Sequence, residues 1–463
     1  MGTCVFGFCG CEEFLAGLGS AIGSALEDAL NEYFEDGTVD DSYVYTRTEG
    51  GGTYYYDRLS KKQQRFYKKI RIDMDKFFAG ERELMEYDLD GESFSLLGNY
   101  RFSTFDLTEA EGLQAFDALY QDCPQYYAYD GVYMLYGEES VAPVIAAQYA
   151  DGTAFAAADA KIATAVAAVK NRLSQNANDL EIFTVLYDYV MGQTDYEYDE
   201  AGNPSQSAHS GSIVGVLDGD RKTNSVCVGY TFTLTYLSNL FGVECISVGN
   251  EELNHAWNMV KMDGSWYHAD ATNQDGNEGV DLFLCSEEVF WEFFEYPSPV
   301  YDSGDATTTG RVGILPDVLD DLCYARFTYR VNGDGYAVSN TLIDQYLLKI
   351  PSVHNGGAVK TLGAGFGISA TQMTQLILPA SVVTVETGAL TQRQLESIFY
   401  EGTAEAFADI SVGALNDGFK KAQVYYYSEQ APSWDYSGNR YWYYDESGLP
   451  CIWEVPSGDG AQV

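Results

Sequence analysis

Three short segments hold the residue types from which a thiol-based active site is built: Ser225-Val-Cys-Val-Gly-Tyr230, Asn254-His-Ala-Trp-Asn258 and Trp266-Tyr-His-Ala-Asp270. A nucleophile, a base and a carboxylate able to orient that base follow one another in the chain. An imidazole that draws the proton from a thiol creates the reactive thiolate, and a carboxylate on its other nitrogen fixes the tautomer and stabilises the imidazolium. The chain has only 4 His, so the choice of base is narrow.

The elements that must position these groups can be read around them. Asn224 and Ser225 are good N-cap types, and Tyr230, Leu234, Leu237 and Phe241 follow at helical spacing. Gly242 is a natural stop before an apolar run, Val243 to Val248, that reads as a strand. Cys227 then lies in the first helical turn, where unpaired N–H groups and the helix dipole favour a thiolate. Its own backbone N–H could face a developing oxyanion, and Gly229 would keep bulk away from the thiol. A small, buried, inert thiol is the competing reading. Residues 254–262 and 265–271 read as two strands joined at Asp263-Gly264, a strong two-residue hairpin signal. In that register Met262 faces Ser265, Met259 faces His268, Trp257 faces Asp270 and His255 faces Thr272. Asp270 becomes the diagonal neighbour of His255 on one face, within hydrogen-bonding reach. His268 reads as a packed or partly exposed strand residue, and His209 and His354 read as loop residues.

Together the segments resemble the signature blocks of the transglutaminase-like superfamily, Cys-x-Gly-Tyr, His-Ala-Trp and Trp-Tyr-x-x-Asp, over about residues 165–290. The resemblance implies Cys227 as nucleophile, His255 as general base and acid, and Asp270 as its orienter. It implies an α+β, papain-like core with a helix-borne Cys against an antiparallel sheet. It also implies acyl transfer through a thioester on a peptide or carboxamide substrate, without cofactor or metal. Hydrolysis is the default because water is always at hand. Crosslinking of glutamine to amines, and a non-catalytic surface adhesion module, are the alternatives. Where the family often continues Thr-Trp-Asp, Ala271-Thr-Asn-Gln-Asp275 lacks the tryptophan, which bears on the leaving-group side. The family sometimes adds an upstream aromatic oxyanion donor, for which Tyr196 and Tyr198 are candidates.

Composition narrows the function class. Lys+Arg of 26 against Asp+Glu of 69 leaves a formal charge of −43, which repels nucleic acid and anionic membrane. With 46% hydrophobic residues the chain can bury substantial cores. Its 37 Tyr suit half-exposed strand positions. The 9 Cys show no metal-type or disulfide-framework spacing, and no apolar run is long enough to span a membrane. Phe8-Cys-Gly-Cys11 faintly resembles a lipoprotein cleavage box but lacks the preceding basic and apolar regions. An extracellular or cell-surface location is compatible with the acidity.

The organisation reads as four parts: 1–55, an amphipathic helix (residues 12–34) and a Gly-rich linker (Thr48 to Thr53); 56–155, an α+β region; 156–305, the catalytic core; and 315–463, a β-rich domain. A helix from Ser60 to Phe78 has one face basic (Lys61, Lys62, Arg65, Lys68, Lys69, Arg71, Lys76), read as solvated, with docking on the acidic body or an anionic partner as alternatives. A helix at 179–190 is expected beside the nucleophile helix, and Ala201 to Ser212 as a loop near the cleft. Beyond 310, Val359-Lys-Thr-Leu and Val382-Val-Thr-Val recur at an offset of 23, and Leu376-Ile-Leu is echoed by Ile398-Phe-Tyr. This resembles leucine-rich repeats of the bacterial surface-antigen type, closed by an aromatic tail, and implies a protein or cell-surface ligand for that domain.

Overall fold

The computed structural model describes residues 2–6, 34–89, 92–136, 139–173, 177–205, 207–218, 225–250, 253–275, 282–294, 315–316, 327–341, 346–354, 357–368, 370, 372–391, 394–433, 438–445 and 448–454. The amphipathic helix expected at 12–34 lies outside these residues apart from Phe34, as do Asn224 and the Phe8–Cys11 box. The fold is α+β, and among the described residues no helix is long and apolar enough to cross a membrane.

The first part packs two helices, α1 (Lys61–Phe78) and α2 (Glu109–Asp122), against a sheet of β1 (Gly2–Phe6), β2 (Met85–Leu89), β3 (Glu92–Leu96), β4 (Tyr100–Arg101), β5 (Tyr129–Tyr136) and β6 (Ser140–Ile145). Both helices open on a full capping box, Ser60 with Gln63 and Thr108 with Glu111.

The middle part is built around one helix. After α3 (Phe155–Lys170), α4 (Asp179–Met191) and α5 (Ile213–Leu217) comes α6 (Cys227–Leu240), followed by the antiparallel sheet β7 (Cys245–Asn250), β8 (His255–Met262) and β9 (Ser265–Ala269), then α7 (Ala271–Gln274) and α8 (Glu287–Phe293). Every residue of α6 from Cys227 to Ser238 is buried. The stripe of Tyr230, Leu234 and Leu237 is therefore only part of its contact surface, because α4 and α5 cover the sides the sheet leaves open. Asn258 of β8 stitches sheet to helix, its amide donating to the Thr231 carbonyl (3.0 Å) and the Thr235 hydroxyl (2.9 Å). Asp263 and Gly264 both have positive φ (49° and 91°), the backbone of a tight hairpin turn. The pairs Met262–Ser265 and Met259–His268 form as the Asp-Gly signal predicts. Pairing ends at Asn258–Ala269, however, so Trp257–Asp270 and His255–Thr272 are not ladder partners. Asp270 leaves the sheet because its side chain caps α7 by accepting from the Asn273 N–H.

The last part opens on the hairpin β10 (Phe327–Asn332) and β11 (Gly335–Thr341) and continues as two parallel ladders. One stacks β12 (Leu347–Lys349), β15 (Gln375–Leu378), β17 (Ser397–Tyr400) and β19 (Gln423–Tyr427); the other runs from β14 (Gly357–Leu362), itself flanked by β13 (Val353–His354), to β16 (Thr384–Val385) and β18 (Ser411–Val412). The recurring segments lie side by side: Thr361 pairs with Thr384 and Leu362 with Val385, while Leu376 pairs with Ile398 and Ile377 with Phe399. Other steps are longer, since Thr384 pairs with Ser411, so the 23-residue spacing is not a strict period. At the end, α9 (Ala404–Ala408) and α10 (Asp417–Lys421) precede β20 (Tyr441–Tyr444) and β21 (Pro450–Ile452), which close the first ladder over the fully buried Trp442.

Two expectations fail on contact with the fold. The basic face of α1 is solvated only at its start, where Lys61, Lys62 and Arg65 are exposed; from Lys68 onward it is partly covered. It is clasped by the chain's own acidic and aromatic residues: Lys68 pairs with Asp41 (3.0 Å), Lys69 with Glu35 and Asp73, Lys62 with Asp106, and Arg71 lies over the Tyr45 ring (4.2 Å). Nor is the Gly-rich stretch at 48–53 a linker. Gly50 is buried with φ 76° and its Cα faces the ring of Tyr236 on α6, while the Gly52 N–H donates to the Asp122 carbonyl (2.7 Å). A linker would accept Gly50→Ala at no loss. Here the methyl group meets Tyr236 at 2.1 Å in a left-handed backbone, so the substitution is expected to destabilise the protein by about 2–4 kcal/mol, measured by denaturant unfolding.

Candidate active site

Cys227 is the first residue of α6, and its N-cap is Val226, not Ser225. The Ser225 hydroxyl is used otherwise: it donates to the Ser210 carbonyl (2.6 Å), which also accepts from the Val226 N–H. That clasp explains Gly229 as well. A Cβ there would meet Ser225 Oγ at 2.0 Å and the Ser210 carbonyl at 2.4 Å, so glycine serves the close approach of the 210–212 turn and does not serve the thiol. The expected 201–212 loop is thus tied to the nucleophile turn.

His255 follows Asn254, which adopts positive φ (47°) and so turns the chain into β8. The imidazole is buried against the thiol. Its Nε2 lies 2.7 Å from Asp270 Oδ2, leaving Nδ1 to the hydrogen bond with Cys227, while the Ala256 N–H donates to the sulfur. Asp270, with no exposed side-chain surface, also accepts from the Asn273 N–H (3.0 Å) and from Asn273 Nδ2 (2.8 Å). The three residues singled out by type and order are therefore brought into one hydrogen-bonded series.

The electrostatics follow from this arrangement. Burial by itself pushes the Cys227 thiol up, but the hydrogen bond and charge of His255, with the Ala256 N–H, more than offset it, and its pKa is lowered. Burial disfavours the His255 imidazolium, yet the Asp270 carboxylate and Cys227 together outweigh burial and raise its pKa to about 10. Asp270 is itself held below the usual carboxylate range: burial opposes this, and His255 and Asn273 prevail. Both shifts act in the same sense, each favouring the charged form of its group, thiolate on one side and imidazolium on the other. Two other core thiols behave differently, burial raising Cys123 and pushing Cys245 up to about 12.

Residues given no site role from sequence hold the series in place. Asn273 is one. Tyr230, one turn along α6, donates to Asp275 (2.7 Å) and so fastens the segment after Asp270 to the nucleophile helix. Trp257 stacks beside His255 (interplanar angle 13°), and its indole N–H donates to His268 Nδ1 (3.0 Å). An Nδ1 that accepts requires the proton on Nε2, which therefore donates to Glu287 (2.8 Å). His268 is thus a fully buried strut for Trp257. Tyr198 is 61% exposed, whereas Tyr196 bridges Ser225 through its backbone, two residues ahead of the cysteine. His209 lies in a turn; His354 sits in β13, stacked on Tyr329 (3.7 Å), and is not a loop residue. Among the described residues no group of three or more His, Cys, Asp or Glu is arranged to hold a metal ion.

The thiol ordering yields a direct check. Iodoacetamide should modify Cys227 between ~pH 6 and 8, below the ordinary thiol value of ~8.5, while Cys123 and Cys245 stay unmodified in the folded protein. Asp270→Asn removes the charge that holds the His255 proton, so the profile should move to higher pH; peptide mapping by mass spectrometry reads both.

The chain was compared with known proteins: no protein-family model matches it, and no curated protein matches it.

Proposed function

We propose that the protein is a cysteine-dependent acyl-transfer enzyme acting on peptide or carboxamide bonds, with hydrolysis as its outcome. One observation carries this reading: the unbroken series Cys227–His255–Asp270, with the thiol pKa lowered and the imidazole raised to about 10. The Cys227 thiolate attacks the carbonyl carbon, and the oxygen that becomes negative meets the N–H groups at the start of α6. The His255 imidazolium gives its Nδ1 proton to the departing amine as the C–N bond breaks, leaving a thioester. The neutral imidazole then takes a proton from water, whose oxygen attacks the thioester; the acid leaves as the C–S bond breaks, Cys227 departs as the thiolate, and His255 keeps the proton, restoring the starting pair. Asp270 remains ionised throughout and holds Nε2. The papain-like description of the core rests on α6 packed against β7–β8–β9, and the transglutaminase-like assignment on the three sequence blocks. The two parallel ladders with their aromatic closure support reading residues 315–463 as short leucine-rich repeats, a recognition surface for a protein or cell-surface ligand. Extracellular placement belongs to the same reading.

The test is incubation with a peptide mixture rich in glutamine together with a labelled primary amine, followed by mass spectrometry. Free acid or cleaved peptide should form, and Cys227→Ser and His255→Ala should each lower the rate by about 10³-fold or more. Amine incorporation outrunning hydrolysis would make the enzyme a transferase. Absence of any thioester or product would leave the fold as a binding scaffold.

A further inference from the structure

A second site lies away from the thiol, between α4 and the start of the β-rich part. A cavity of about 140 Å³ is lined there by Glu181, Asp188, Phe283, Phe327, Tyr329 and His354, among others. Glu181 is the telling residue. It is the third residue of α4 after the Asn178 cap, the position from which a glutamate normally turns back to bond the cap's N–H. It does not do so: only its backbone N–H bonds Asn178, while both carboxylate oxygens are buried and lack a hydrogen-bond partner, in a residue 7% exposed. A buried carboxylate without a partner costs several kcal/mol unless something fills that place. Four of the other lining residues carry aromatic rings. Phe283 is buried, Phe327 and Tyr329 stand at the cavity wall, and His354 stacks on Tyr329 at 3.7 Å. His354 offers no competing cation, since burial lowers its pKa.

We infer that this cavity is a binding site for a small alkylammonium group, held by the Glu181 carboxylate and the faces of the surrounding rings. The chemistry selects the class. A carboxylate supplies the charge, and ring faces favour a cation whose hydration shell is weak, as on a quaternary ammonium. The volume corresponds to roughly four or five waters, which suits a head group and is too small for a whole drug-sized ligand of ~300 Å³ or more. The net charge of −43 draws cations toward the surface in general, and the rings distinguish this site from that background. The inference is independent of any chemistry at Cys227.

Isothermal titration of the full chain with tetramethylammonium chloride, at ionic strength held constant with potassium chloride, tests it. A saturable interaction with a dissociation constant on the order of 1 mM or tighter is expected. Glu181→Gln, which keeps the side chain's shape, should weaken it by about tenfold or more, and Tyr329→Leu should weaken it too. Thermal unfolding establishes that each variant folds; should Tyr329→Leu fail to fold, Glu181→Gln decides alone. Three results would each overturn the proposal: no saturable binding, binding undiminished in Glu181→Gln, or potassium competing as strongly as the alkylated ion. Binding that persists in Cys227→Ser separates this site from the thiol chemistry.

Discussion

A carboxylate without access to water must find its hydrogen bonds inside the protein, and Asp270 finds them on two elements. Its oxygens take the His255 ring from β8 and the backbone and side chain of Asn273 from α7. Removing one partner of such a buried pair costs about 3–5 kcal/mol, because the other charge is left stranded. The surrounding structure is therefore committed to keeping Asp270 where it is. Asn258 fastens β8 to α6, Tyr230 fastens the segment after Asp270 to the same helix, and the Asp263-Gly264 turn sets the register that brings β8 and β9 together.

The buried setting also decides the protonation states. In a low-dielectric pocket neither an isolated thiolate nor an isolated imidazolium is favoured, and burial opposes both charges. Together, with a fixed carboxylate on the far side of the ring, each charge stabilises the next. An aromatic layer of Trp257 and Phe294, with Phe290 behind Trp257, packs on the imidazole, and the hydrogen-bonded His268–Glu287 pair holds Trp257 in its place. Such a layer leaves the ring few alternative orientations.

Much of this arrangement was legible in residue types. Asp263-Gly264 carries its own backbone conformation, so the β8–β9 register could be read forward to the neighbourhood of His255 and Asp270. The echo of Leu376-Ile-Leu in Ile398-Phe-Tyr could likewise be read as adjacency, because stacked strands place equivalent residues beside one another. What stayed hidden depends on which surface meets which. A helix face of lysines and arginines looks solvated until the acidic segment at 35–47 folds over it. A Gly-rich run looks like a linker until Tyr236 is found against Gly50. Gly229 is explained by a carbonyl many residues earlier in the chain, Asn273 carries no spacing signal, and the capping-box spacing of Glu181 does not show that its carboxylate turns elsewhere. Periodicity and turn chemistry are local, and these contacts are not.

The central claim is that Cys227 and His255 share their proton as an ion pair near neutral pH. Thiolate absorbance in the far ultraviolet, followed as the difference between the protein and its Cys227→Ser variant across pH, measures that state without a substrate or a reagent. The account predicts a thiolate signal already present at neutral pH and lost only in acid, with the Asp270→Asn variant requiring a higher pH to develop it. A signal that rises only near the ordinary thiol value, and is the same with or without Asp270, would contradict it.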